Sequence, residues 1–208
     1  MFNDRDFEVF EDPTLAGRMG GIKSEIDPKF EAIAPLISDW LGASATHIAQ
    51  HLRRHKNPPM NTWIAFNEQF RGYKMTPHLM LGFWDDRLFV WLACLAEASQ
   101  RQWLASQLET QLPELATLDA AFQVSGNHMA KASAPLTLAN SEVVLARYRQ
   151  IKQADFWWAG SGFVVSQSFK MRAHSKPNCI KRSARSNHFM RSFKVASRKA
   201  SVNWLLTA

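Results

Sequence analysis

Residues 61–97 read NTWIAFNEQFRGYKMTPHLMLGFWDDRLFVWLACLAE, and this stretch decides the fold. Three segments in it, Thr62 to Phe66, His78 to Trp84 and Arg87 to Leu95, are rich in β-branched and aromatic residues. Stretches containing Gly72 and Asp85-Asp86 separate them, and such residues favour turns. The pattern predicts three consecutive antiparallel strands, with Phe83, Trp84, Phe89, Trp91 and Leu95 in the core through alternation in a half-buried strand.

Helices are predicted upstream. Asp12-Pro13 and Asp27-Pro28 each place an acidic N-cap before a proline suited to the first helical position. In the second helix Phe30, Ile33, Ala34, Leu36, Ile37, Trp40 and Leu41 form an apolar stripe at three-four spacing. A further helix is predicted from Thr46 to about Lys56, stopped by Asn57-Pro58-Pro59. Downstream, Ser99 to Gln111 and Ser141 to Ile151 read as helices and Phe122 to Ser125 as a strand, with another strand beginning at Ala154-Asp155-Phe156. Helices, then strands, then mixed elements argue for an α+β fold with a largely antiparallel sheet flanked by helices.

Charge divides the chain. Residues 1–155 carry 15 Lys/Arg and 18 Asp/Glu, whereas residues 156–208 carry 10 Lys/Arg and no acidic residue. The net charge of +7 therefore sums a mildly acidic body and a strongly basic tail. The reading is one domain over 1–156, followed by a basic tail over 157–208 that packs poorly after about residue 158. Cys94 and Cys179 lie far apart and suggest neither a disulfide framework nor a metal-ligand spacing. A reducing cytoplasm is expected, with no membrane partner, since the longest apolar run, Leu88 to Ala96, is nine residues against the roughly 20 that span a bilayer.

Residues 47–97 resemble the YktB-like family of bacterial proteins (UPF0637, DUF1054). The matching positions are His47, His51, Arg53, Arg54, Asn57, Pro58, Pro59, Thr62, Trp63, Ala65, Phe66, Arg71, Gly72, Tyr73, Lys74, Pro77, His78, Gly82, Trp84, Phe89, Val90 and Trp91. Asp6-Phe7, Val9-Phe10, Leu15, Arg18-Met19 and Pro28-Lys29 extend the likeness to roughly residues 5–156. The chain departs at Asn61, where the family pattern has an acidic residue, and at His55, where a small polar residue is usual. The resemblance implies an α+β fold around an antiparallel sheet, somewhat like TATA-binding-protein-like domains, and implies no activity.

Site candidates follow from residue chemistry. His51, Arg53, Arg54, Asn57, Trp63, Arg71, Tyr73, Lys74 and His78, with Lys56 nearby, surround two turns. Guanidinium groups match phosphate or carboxylate oxygens, and aromatic rings hold a base or sugar. The leading expectation is a binding module for an anionic small molecule or nucleic-acid segment. The alternatives are an enzyme on a phosphorylated or carboxylated substrate, with His51 or His78 as general base and Arg71 as clamp, and a structural protein that self-associates through a sheet edge. His47, His51 and His55 recur every four residues, yet a helix face with ordinary histidines explains them better than a metal site. No catalytic triad and no phosphate-binding glycine loop is recognisable, and no cofactor is expected.

The tail has a distinct explanation. The family resemblance calls for Leu, an apolar residue and Gly after the Asp155 region, where the chain has Trp157-Trp158-Ala159-Gly160. Phe-Trp-Trp-Ala-Gly is encoded TTY TGG TGG GCN GGN, which one base earlier reads Leu, Val, Gly and then Arg, Gly or Trp. A frameshift near Phe156 is the expectation, with loss of the last core strand and an aggregation-prone product. The competing reading is a nucleic-acid-binding tail whose cations alternate with Trp157, Trp158, Phe163, Phe169, Phe189 and Phe193. Resequencing genomic DNA across codons 150–165 is predicted to expose an open shifted frame with family-like residues, and two unrelated alternative frames would make the tail authentic.

Overall fold

The computed structural model describes residues 2–118 and 122–160. The elements are helix α1 (Arg5–Glu8), a 3-10 turn (Val9–Glu11), α2 (Leu15–Gly21), a π turn (Ile22–Ile26), α3 (Asp27–Leu41), strands β1 (Ala45–Ile48), β2 (Asn61–Asn67), β3 (His78–Trp84) and β4 (Leu88–Cys94), α4 (Arg101–Leu115), β5 (Phe122–Ser125), β6 (Ala134–Pro135), α5 (Leu138–Gln150) and β7 (Phe156–Gly160). The seven strands form one sheet in the order β1-β2-β3-β4-β7-β5-β6. This is the expected α+β class, helices leading. The described chain divides into two compact units, residues 2–71 with 79–90, and residues 72–78 with 91–160.

In the first unit the N-terminal helices cover one side of β3. Phe2, Phe7 and Phe30 each meet Phe83, with ring centroids 5.0, 5.3 and 5.9 Å away. Lys29 pairs with the buried carboxylate of Asp6, which also accepts the Asn3 N–H at 2.8 Å. The helix starts differ from expectation. Thr14, not Asp12, caps α2, accepting the Gly17 N–H at 3.0 Å, while Asp12 accepts from both the backbone and the hydroxyl of Thr14. Asp27 is no cap either, because α2 continues through the π turn into α3. Its Oδ1 is buried without a partner, and burial followed by the charge of Glu31 pushes its pKa up to about 6. Of the α3 stripe, Phe30 and Ala34 are buried, whereas Leu36 is exposed. Gly42 ends α3 with φ 73°, a left-handed conformation that glycine adopts without Cβ strain.

The helix expected over Thr46–Lys56 is absent. Ala45–Ile48 instead pairs antiparallel with β2, Ala45 opposite Asn67 and Ile48 opposite Ile64. Thr46 and Ile48 are β-branched, and the edge of β2 offers backbone partners that outweigh local helical spacing. His47, His51 and His55 therefore share no helix face.

Strands β2, β3 and β4 are buried at every residue, so the expected wet face is replaced by burial on both sides. Asp85-Asp86 does form a turn, with the Trp84 N–H donating to the Arg87 carbonyl at 2.8 Å and the Arg87 guanidinium forked on Asp86. Beneath it, β2 and β3 pair from Asn61 opposite Trp84 to Phe66 opposite Leu79.

In the second unit β7 lies between β4 and β5, Cys94 opposite Phe156 and Ser125 opposite Trp157. The expected loss of this strand is corrected: Phe156, Trp157 and Trp158 fill it and are buried. Trp157 stacks on Trp91 at 4.4 Å with the rings 13° from parallel. The strand runs past the boundary expected at residue 156, and the tail readings beyond Gly160, Phe163, Phe169, Phe189 and Phe193 included, lie outside the described residues. Helix α4 also runs past its expected end at Gln111 and through Pro113, because Leu108, Leu112 and Leu115 are buried along it. The Arg101 guanidinium sits 4.1 Å from the Tyr148 ring centroid and donates to the carbonyls of Tyr148, Ile151 and Ala154, closing the end of α5.

Gly82 has no room for a side chain. A Cβ there would lie within 2.5 Å of the Thr62 carbonyl oxygen and inside the Phe89 ring's contact distance. Gly82→Ala is expected to cost about 1–3 kcal/mol in urea unfolding, the range for overpacked sites, and an unchanged midpoint would contradict this packing.

Candidate functional site

The nine residues singled out by sequence separate at β2. His51, Arg53, Arg54 and Asn57 lie in the loop that enters it and Trp63 near its start, whereas Arg71 follows its end. A seven-residue strand is roughly 20 Å long at about 3.4 Å per residue, so the two turns leave opposite ends.

The entering loop is pinned at both sides. The Ala49 N–H extends the ladder to the Trp63 carbonyl at 2.9 Å, and Arg18 of α2 donates to the carbonyls of Pro59 and Asp12. Between these anchors His51 adopts φ 50°, a left-handed conformation that is uncommon for a residue with a Cβ. Its ring meets Trp63 edge-on at 5.6 Å and its Nε2 lies 3.2 Å from the Thr62 hydroxyl. Burial, then the positive charge of Arg54, lowers the His51 pKa to about 4, so the ring is neutral at pH 7. Arg53, Lys56 and Asn57 are exposed and Arg54 is half-buried. Among the described residues, the side chains of Arg53, Arg54 and Lys56 meet no carboxylate. At the base of the loop Asn61 is fully buried with both amide atoms unpaired.

In the second unit Lys74 pairs with Glu97 at 3.6 Å and Tyr73 lies edge-on to His78 at 5.0 Å. His78 is fully buried, and its Nδ1 lies 2.7 Å from the Thr76 carbonyl. A carbonyl only accepts, so Nδ1 carries the hydrogen and Nε2 keeps a bare lone pair, unpartnered among the described residues. Burial lowers the His78 pKa to about 4, and the nearby charges of His128 and Lys74 add to the effect while the Thr76 bond and Asp155 oppose it.

The sequence reading missed His128 and Asp155. Asp155 accepts from the Ala96 N–H at 2.8 Å through Oδ1, and through Oδ2 from the His128 N–H at 2.9 Å and its Nδ1 at 2.7 Å. Burial alone would raise its pKa, but these hydrogen bonds and the His128 ring lower it. The available signal was a lone acidic residue at the mouth of an apolar strand. Cys94 is no nucleophile, because burial and the Asp155 charge push its thiol up to about 12. Among the described residues no three His, Cys, Asp or Glu side chains are placed to hold a metal ion, and no helix is long and apolar enough to cross a membrane.

Helices leading into one seven-stranded, largely antiparallel sheet, with polar clusters at strand ends, define an α+β protein. The chain belongs to the DUF1054 family, a domain of unknown function whose model matches residues 2–185 and so runs past Phe156. UPF0637 proteins are its relatives. One from Levilactobacillus brevis is 45% identical over 169 residues, covering 79% of this chain and 83% of that protein. Another from Lacticaseibacillus paracasei is 49% identical over 162 residues, 75% and 79% of the two chains, and one from Listeria welshimeri is 35% identical over 160 residues, 74% and 78%.

The His51 shift has a measurable consequence. Its folded pKa lies below the ordinary value of 6.5, so between about pH 6.5 and 4 the unfolded chain binds the proton first and stability falls with falling pH. His51→Gln keeps a partner for Thr62 and removes that titration. Urea unfolding across this range is expected to show a slope shallower by up to one proton than the wild type, and an identical slope would contradict the burial of His51.

Proposed function

We propose that this protein is a binding module for an anionic ligand, a phosphorylated small molecule or a short nucleic-acid segment, seated on the loop between β1 and β2. The left-handed conformation of His51 carries the reading. A residue with a Cβ is held there only when its surroundings over-determine it, and such strain clusters at ligand-binding positions. The conformation fixes the ring against Trp63 and Thr62 in a loop that presents Arg53, Arg54 and Lys56 without carboxylate partners among the described residues. Unpaired guanidinium groups on a pinned loop suit phosphate or carboxylate oxygens. The alternative in which His51 or His78 is the general base of an enzyme is disfavoured, because both rings are pushed to about 4 and are weak bases at neutral pH.

Calorimetric titration with inorganic pyrophosphate and with an oligothymidylate tests the reading. Arg53→Ala combined with Arg54→Ala is expected to weaken both by at least about tenfold. For the oligonucleotide the slope of log K against log salt is expected to fall by about 1.4, at about 0.7 for each phosphate that is no longer neutralised. Equal affinities in a double variant that melts like the wild type would refute it.

A further inference from the structure

His128 and Asp155 sit where strand ends of the second unit converge: His78 opens β3, Ala96 follows β4, His128 follows β5 and Asp155 precedes β7. Asp155 needs no imidazole to join these ends, since its two oxygens already accept the Ala96 and His128 backbone N–H groups. The His128 ring is a third partner on the same carboxylate, and its side chain keeps 13% exposure to solvent. Its Nδ1 donates to Asp155, which leaves Nε2 as the basic atom of the neutral ring. Close by, the fully buried His78 holds an unpartnered Nε2 lone pair, an acceptor whose desolvation goes uncompensated until a donor arrives.

We propose that these strand ends form a hydrolytic site in which His128 is the general base, Asp155 its positioning residue and His78 an acceptor for a hydrogen-bond donor of the bound substrate or water. The substrate class is an acyl compound. Lys74 is paired with Glu97, so it is not free to counter a phosphoryl dianion, whereas an uncharged acyl group needs no such cation. His128 Nε2 takes one proton from water, the water oxygen bonds to the acyl carbon, and the bond from that carbon to the leaving oxygen breaks with its electron pair on the leaving group. Acid, leaving-group anion and one proton, returned to solvent by the imidazolium, balance the step. The site is independent of the loop between β1 and β2, so failure of either proposal leaves the other standing.

The full chain with p-nitrophenyl acetate is the test. Hydrolysis is expected to exceed that of free imidazole at equal concentration by about 10²-fold, the lower end of general-base contributions. His128→Gln is expected to remove this excess. Asp155→Asn is expected to reduce it and also to move the pH–rate profile to lower pH, since the imidazolium loses its carboxylate, which a purely structural role would not do. Should these variants unfold, diethyl pyrocarbonate on the wild type replaces them, and loss of activity must track acylation of His128 by peptide mapping. A rate no greater than free imidazole, an unaffected His128→Gln, an unmoved profile in folded Asp155→Asn, or inactivation without His128 modification would each overturn the proposal.

Discussion

Burying a carboxylate is expensive by several kcal/mol unless hydrogen bonds replace its water, and Asp155 satisfies that condition with backbone and imidazole N–H groups. Because those groups come from the segments after β4 and after β5, the carboxylate fixes both beside the start of β7. The inner strand of this unit is thus anchored at its first residues, and Phe156, Trp157 and Trp158 follow into the core. Arg101 has a parallel task with the opposite charge, gathering carbonyls that the end of α5 leaves unmet.

Two histidines illustrate how burial sets chemistry in this fold. His51 and His78 are both driven toward the neutral form by desolvation, yet for different structural reasons. His51 is turned into its place by an unusual backbone conformation beside exposed cations, whereas His78 opens a strand that is buried throughout. Neutral rings of this kind accept or donate single hydrogen bonds, and charge recognition falls to the arginines of the loop. The division explains why a cationic loop and a proton-transfer pair occupy different places in the protein.

Much of the fold was legible because its strands carry strong local signals. Phe122–Ser125, His78–Trp84 and the Asp85-Asp86 turn stand where residue types put them. β1 was not legible, since four-residue histidine spacing and a following Asn-Pro-Pro imitate a helix and its stop, and only pairing with β2 reveals the strand. β7 was misjudged from composition: two tryptophans at the border of a basic segment suggest surface stacking until the Trp91–Trp157 contact is known. At the site, His51, Arg54 and Trp63 were found through local chemistry. Turns on either side of β2 were grouped as one pocket because sequence proximity hides the length of the strand between them. His128 and Asp155 escaped because they are separated by 27 positions and belong to no motif, so nothing short of the fold brings them together.

The most direct test of the central claim, that a buried polar cluster is organised around Asp155 at these strand ends, is a two-dimensional proton–nitrogen spectrum of the histidine rings over a pH titration. The account predicts that His78 stays neutral to about pH 4 with its hydrogen on Nδ1, and that the Nδ1 hydrogen of His128 is slow to exchange and disappears as a protected signal in Asp155→Asn. A His78 ring that titrates near 6.5, or a His128 ring indifferent to loss of the carboxylate, would contradict it.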